Sequence, residues 1–174
     1  MIEVEVKVRA SLNDVEERLA RLDAEETAQK RQVDTYFSAP HRDFAQTDEA
    51  LRVRRENGDA YVTYKGAKRG DGTKTRQEHE TSVGDAQTAR AVLESLGFEE
   101  FGTVEKDRRL YVLDGTTVTL DEVDGLGEFV EVELEREEGD DNDEAREAVF
   151  GTLERLDLDP QDSVTESYLE LLYA

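Results

Sequence analysis

The chain has no cysteine and no tryptophan, only two prolines, and six lysines beside sixteen arginines. Without cysteine there is no disulfide framework, no thiolate metal site and no cysteine nucleophile. Two isolated histidines, His41 and His79, make a weak case for a zinc site or a nucleophilic triad. No apolar run approaches the roughly 20 residues of a membrane span. No GxxxxGK[ST] phosphate loop is present. The opening MIEVEVKVRA enters a strand pattern directly, without the features of a signal peptide. A soluble, cytoplasmic protein with no membrane partner is expected. Bases are scarce overall: 22 against 44 acids, for a formal net charge of −22. That balance argues against broad nucleic-acid binding, which needs a basic footprint. Acid excess with little lysine resembles the composition of proteins from salt-loving organisms. At molar salt a Debye length of about 3 Å screens the self-repulsion. Most of the acid is therefore read as solvent adaptation.

What is present is pattern. The 174 residues suit one domain, 1–174. In IEVEVKVR every second side chain is apolar and the others are charged, the mark of a strand with two unlike faces. SLNDVEERLARLDAEE carries Leu12, Val15, Leu19 and Leu22 at helical spacing, with Ser11 as the expected N-cap. RQVDTYFS reads as a strand. LRVRRE and AYVTYKG flank an NGD hairpin signal. GAKRGDGTK reads as a mobile Gly-rich loop, and TRQEHETSV as a strand. Asp85 caps a helix that ends at Gly97. Strands at roughly 102–113, 116–123 and 127–136 follow, then a helix through Leu156 and a short final helix ending in SYLELLYA. About eight strands and four helices, with short hairpin connections, predict an α+β fold. In it an antiparallel sheet closes into a barrel with helices outside.

The charged faces carry the functional signal. Lys7, Arg9, Arg52, Arg54, Lys65, Arg76, Lys106 and Arg108 all oppose apolar neighbours on strands, which is eight of the 22 bases. Solvent-facing strands in so acidic a chain should drift towards Glu and Asp. If helices cover the apolar side of a closed sheet, the charged side lines the lumen. A dry lumen could not hold so many charges. Arg and Lys suit phosphate oxygens, and carboxylates suit Mg²⁺ or Mn²⁺. A triphosphate with a divalent metal satisfies both sets.

Glu3-Val-Glu5-Val-Lys7 then matches an ExExK signature. LRVRR, YVTYKG, the R-x-E-x-E run Arg76–Glu80, Lys106-Asp107-Arg108 and LDEVDGLGEFVEVE follow in order. Together they resemble the CYTH superfamily, the triphosphate tunnel metalloenzymes. QVDTYF and the SYLEL tail are most similar to its class IV adenylate cyclase branch. The resemblance implies an eight-stranded antiparallel barrel around a triphosphate. It places Lys7, Arg52, Arg54, Lys65, Arg76, Lys106 and Arg108 on phosphates. It places Glu3, Glu5, Asp121, Glu131 and Glu133 on one or two Mg²⁺ or Mn²⁺ ions, and Glu78 and Glu80 along the tunnel. Lys7, Glu5 and Arg108 would stand at the reacting centre. Arg9 and Glu135 are expected at the rim, and Tyr168 in helix core or a dimer contact. The substrate could be ATP, tripolyphosphate or thiamine triphosphate, handled by a cyclase or a triphosphatase. A non-catalytic sensor and a purely structural barrel are the other readings. The tail carries no base after Arg155, which disfavours the thiamine triphosphatase branch. A homodimer would follow the family pattern.

Overall fold

The computed structural model describes residues 1–69 and 73–173. Eight strands form a closed antiparallel barrel in the order β1-β5-β4-β3-β2-β6-β7-β8. They are β1 (Ile2–Arg9), β2 (Glu25–Ser38), β3 (Ala50–Glu56), β4 (Asp59–Lys65), β5 (Lys74–Val83), β6 (Glu99–Leu113), β7 (Thr116–Val123) and β8 (Gly127–Arg136). Among the described residues there are five α-helices: α1 (Leu12–Arg21), α2 (Phe44–Thr47), α3 (Ala86–Ser95), α4 (Asn142–Arg155) and α5 (Tyr168–Tyr173). A 3-10 turn spans Pro160–Asp162.

Two hairpins close on turns whose central residues both have positive φ. They are Asn57-Gly58 (49° and 91°) and Asp114-Gly115 (52° and 77°). That geometry matches the right-handed twist of the flanking strands, and Asn-Gly and Asp-Gly adopt it most readily.

The outer face is apolar and covered. Val4, Val6 and Val8 of β1, Val118 and Leu120 of β7 and Val130 and Val132 of β8 pack under Val15 and Leu19 of α1 and Val149 and Leu153 of α4. A smaller cluster sets Ala86, Ala89 and Leu93 of α3 over Val53, Ala60 and Val62. Val149 is fully buried. Val149→Ala should cost about 1–2 kcal/mol, less than the transfer and cavity cost alone because alanine is the better helix former. The expected drop in Tm is roughly 2–8 °C, read by thermal denaturation, with the barrel interior unchanged.

Several boundaries differ from the sequence reading. α1 stops at Arg21, because Asp23 adopts a left-handed conformation (φ 53°) and the chain turns into β2. β2 begins at Glu25, six residues before RQVDTYFS: its polar first half pairs with the long β6. Here cross-strand pairing overrides weak local propensity. Ser11 occupies the N-cap position, but its side chain makes no cap bond. Instead the Leu12 N–H donates to Glu128 Oε1 at 3.3 Å. Asp43 caps the unforeseen α2 by accepting from the Ala45 N–H at 2.9 Å. Of the stretch read as a mobile loop, Gly70–Gly72 lie outside the described residues, and Lys74 already belongs to β5.

Candidate functional site

β1 has seven of its eight residues buried, on both faces. Its apolar side chains meet helices, so its charged ones point inward: Glu3 is 5 % exposed, Glu5 7 % and Lys7 3 %. Alternation and antiparallel register carry that orientation around the barrel. Glu3 lies opposite Arg76 and Glu135, and Glu5 opposite Lys74 and Glu133. Lys7 lies opposite Glu131, Asp34 opposite Arg54, and Arg108 opposite Asp121. The interior is a cavity of about 720 Å³. Five of the six lysines line it: Lys7, Lys30, Lys65, Lys74 and Lys106. In a chain of net charge −22, that confinement is not a solvated face.

The carboxylates divide into two sets. Glu3, Glu5 and Glu133 each bring an oxygen to a common point, all within 4.8 Å of one another. Burial, then Glu131 and Glu3, raise the Glu5 pKa. Burial, then Glu3 and Glu5, raise Glu133 well above the carboxylate range. Three hard oxygen donors, two buried and one half-buried, fit a divalent cation. Asp121 and Glu131 instead hold a base. Arg108 donates to both Asp121 oxygens, at 2.7 and 2.6 Å, and to Glu131 at 3.1 Å. Burial would raise Glu131, but Arg108 and Lys7 outweigh it and hold that carboxyl low. Asp121 is fully buried in the wall behind Arg108.

The bases are distributed likewise. Lys65 sits between Glu3 at 2.8 Å and Glu78 at 3.1 Å. Arg52 faces Glu80 at 3.7 Å, and its buried Nε has no hydrogen-bond partner among the described residues. Such an orphaned donor in a cavity wall suits an anion. Arg54 forks onto Asp34 at 2.7 and 2.8 Å, and Lys106 donates to the same carboxylate at 3.1 Å. Burial pushes Lys106 down to about 7, against the pull of Asp34. Arg76 lines the cavity but donates to the backbone carbonyls of Gly66 and Asp48, at 2.7 and 3.1 Å, bracing the chain around it.

Glu78 and Glu80 line the cavity, and Glu135 lines it at its exposed edge. Arg9 is exposed and rests over the Phe129 ring. His79 is exposed and stacks on Tyr64.

Three site residues escaped the sequence reading. Lys74 was hidden by the glycines before it; its Nζ enters the barrel, where burial pushes it down to about 7. Asp34 sits in QVDTYF, facing inward with Gln32 and Tyr36, and the alternation of that stretch was its signal. Tyr168, expected as helix core or a dimer contact, lies inside the barrel, because the tail folds over one end of it. Among the described residues no helix is long and apolar enough to cross a membrane.

The family model for the CYTH domain matches residues 1–168. A Methanocaldococcus jannaschii protein, named provisionally as an adenylate cyclase, is 38% identical over 172 residues, 98% of each chain. The solved structure of the PH1819 protein from Pyrococcus horikoshii superposes with a TM-score of 0.85. It is 39% identical and covers 98% of this chain and 97% of its own. A Hippeastrum protein, a candidate adenylyl cyclase described as having a dominant triphosphatase activity, shares the fold. Its TM-score is 0.69 at 19% identity, over 97% of this chain and 92% of its own.

Proposed function

The chain belongs to the CYTH domain family, and on that premise we propose a divalent-metal-dependent enzyme that converts ATP to cyclic AMP and pyrophosphate inside the barrel. The observation that carries this reading is the meeting of Glu3, Glu5 and Glu133 beside a wall of buried bases. The name of the Methanocaldococcus jannaschii relative supports the cyclase. Glu3, Glu5 and Glu133 would hold Mg²⁺ or Mn²⁺. When bound, such an ion supplies Lewis-acid neutralisation of phosphate oxygens. A second ion on Asp121 and Glu131 would have to displace Arg108 from them.

Lys7, Lys65, Lys74 and Arg52 present donors to the phosphate chain, with Arg108, Arg54 and Lys106 held by Asp121 and Asp34. The ribose 3′ oxygen attacks the α-phosphorus and gives up its proton to water. The new O–P bond forms as the bond to the bridging oxygen breaks, and pyrophosphate leaves with the electron pair. The bases meet the charge that builds on the leaving group, in a pocket that shields it from bulk water.

A triphosphatase acting on inorganic tripolyphosphate, thiamine triphosphate or a nucleoside triphosphate is the second reading. The activity described for the Hippeastrum protein supports it. It needs the same clamp, with water attacking the terminal phosphorus.

One assay separates them. The protein is incubated in high salt with Mg²⁺ or Mn²⁺ and each triphosphate in turn. Cyclic AMP with stoichiometric pyrophosphate is the expected product from ATP. Orthophosphate without cyclic AMP would install the triphosphatase, binding without turnover a sensor. Failure to bind any triphosphate would overturn the tunnel reading.

A further inference from the structure

Beyond the 3-10 turn the chain doubles back over the end of the barrel, and the site's own bases fasten it there. Lys7 and Lys74 both donate to the Glu166 carbonyl, at 3.2 and 3.0 Å. The Val164 N–H donates to the Lys7 carbonyl at 2.7 Å. Tyr168 then enters the barrel and is 7 % exposed. Its ring meets Phe129 at 5.0 Å between centroids, and the Lys7 ammonium lies 4.0 Å from its centre. Its hydroxyl donates to Asp121 Oδ2 at 2.7 Å. Asp121 is forked by Arg108, Arg108 reaches Glu131, and Glu131 faces Lys7 at 3.8 Å. Lys7 returns to the Tyr168 ring. The circuit closes through five side chains, four from strands and one from the tail.

We infer that Tyr168 is a positioning residue of the triphosphate site, holding Lys7 with its ring and the Asp121–Arg108 pair with its hydroxyl. The inference rests on the reading that Lys7 and Arg108 grip phosphate. A lysine ammonium on a four-carbon stem has wide rotamer freedom, and an aromatic face on one side narrows it. The hydroxyl, as a third donor on Asp121, fixes the carboxylate that fixes the guanidinium. Donors held in place before the phosphates arrive need not reorganise as charge develops. Space-filling alone would need neither the hydroxyl nor the ring's station under the ammonium.

Ring and hydroxyl have separable effects, so two variants distinguish them. Affinity for Mg²⁺-tripolyphosphate is measured by calorimetry, turnover of ATP by steady-state kinetics and fold by circular dichroism. Tyr168→Phe keeps the ring: affinity and KM should stay within about twofold and kcat fall about tenfold, the size of one hydrogen bond to a charged group. Tyr168→Leu should weaken affinity about tenfold as well. Combined with Lys7→Met it should add little to the affinity lost by Lys7→Met alone, because ring and ammonium act on one contact. Wild-type values in both Tyr168 variants, or strictly additive losses of affinity with Lys7→Met, would reduce Tyr168 to packing and overturn the inference. If Tyr168→Leu does not fold, the same cycle run with Tyr168→Phe and Arg108→Met, read in kcat, decides. Wild-type protein that binds no triphosphate brings down the functional reading, and the inference with it. Triphosphate binding with both affinity and kcat indifferent to Tyr168 brings down the inference alone.

Discussion

Glu133→Gln is expected to move stability and activity in opposite directions. Metal-dependent turnover should fall roughly a thousandfold, the loss that follows when several kcal/mol of charge stabilisation are withdrawn from a phosphoryl-transfer step. The metal-free variant should nevertheless be more stable than the wild type at neutral pH. Glu133 is half-buried beside Glu3 and Glu5, and burial and those two carboxylates raise its pKa well above the ordinary range. A glutamine amide there is neutral without having to bind a proton. Removing the cost of keeping a carboxyl, ionised or protonated, in that cluster should add at least about 1 kcal/mol, or roughly 2–4 °C in Tm. Thermal denaturation with chelator, set beside turnover with Mg²⁺, tests both halves. A variant that is both active and unchanged in stability would remove Glu133 from the metal site.

The sign of the pH dependence follows from the same cluster. Glu5 and Glu133 have pKa values raised above those of the unfolded chain. Each therefore binds its proton more tightly when folded. That contribution is fully present below the ordinary carboxylate range and is lost as pH rises through the raised values. The metal-free wild type should lose part of its stability over that interval, and Glu133→Gln should lose less. Mg²⁺ should restore it, more strongly at the higher pH because the ligands must be deprotonated, and with little effect on the variant.

The barrel was legible because two periodicities agree along almost every strand: apolar residues on one side and charges of mixed sign on the other. Bases retained in an acidic chain then placed the charged side inward. The division of labour inside was less legible. Glu3, Glu5, Asp121, Glu131 and Glu133 look alike as inward carboxylates on strands. Which of them meet one another and which meet Arg108 depends on register and on the stagger around the barrel. Arg76 has the same alternation as Arg52, yet it is turned onto the carbonyls of Gly66 and Asp48 by a connection whose path no periodicity records. Lys74 and Tyr168 were missed for a related reason. Each reaches the lumen from a segment with no strand pattern before it, a glycine-rich loop in one case and the tail in the other. Local composition says nothing of where such segments return.

Asp34 makes the strongest case that part of the lumen is maintained against stability's simplest solution. It is fully buried, and Arg54 and Lys106 both donate to it. Burial would raise its pKa, but Lys106 and Arg54 outweigh burial and hold it well below the usual range. Its contribution is therefore present above the ordinary Asp pKa and lost as pH falls through the lowered value. Asp34→Ala leaves two buried cations without their counter-ion and should cost about 3–5 kcal/mol, lowering Tm by roughly 10 °C. Lys106, already pushed down to about 7, would lose its principal anion and with it most of its charge at neutral pH, so triphosphate affinity should fall too. The decisive comparison is the triple variant Asp34→Leu, Arg54→Met, Lys106→Met. A buried ion cluster replaced by apolar groups of similar size is often neutral or stabilising. The triple variant should recover most of the lost Tm and still bind triphosphate at least tenfold more weakly than the wild type. Recovery of both would make the cluster a structural element only. Recovery of stability alone would mean that the wall keeps its charges for the ligand and not for the fold.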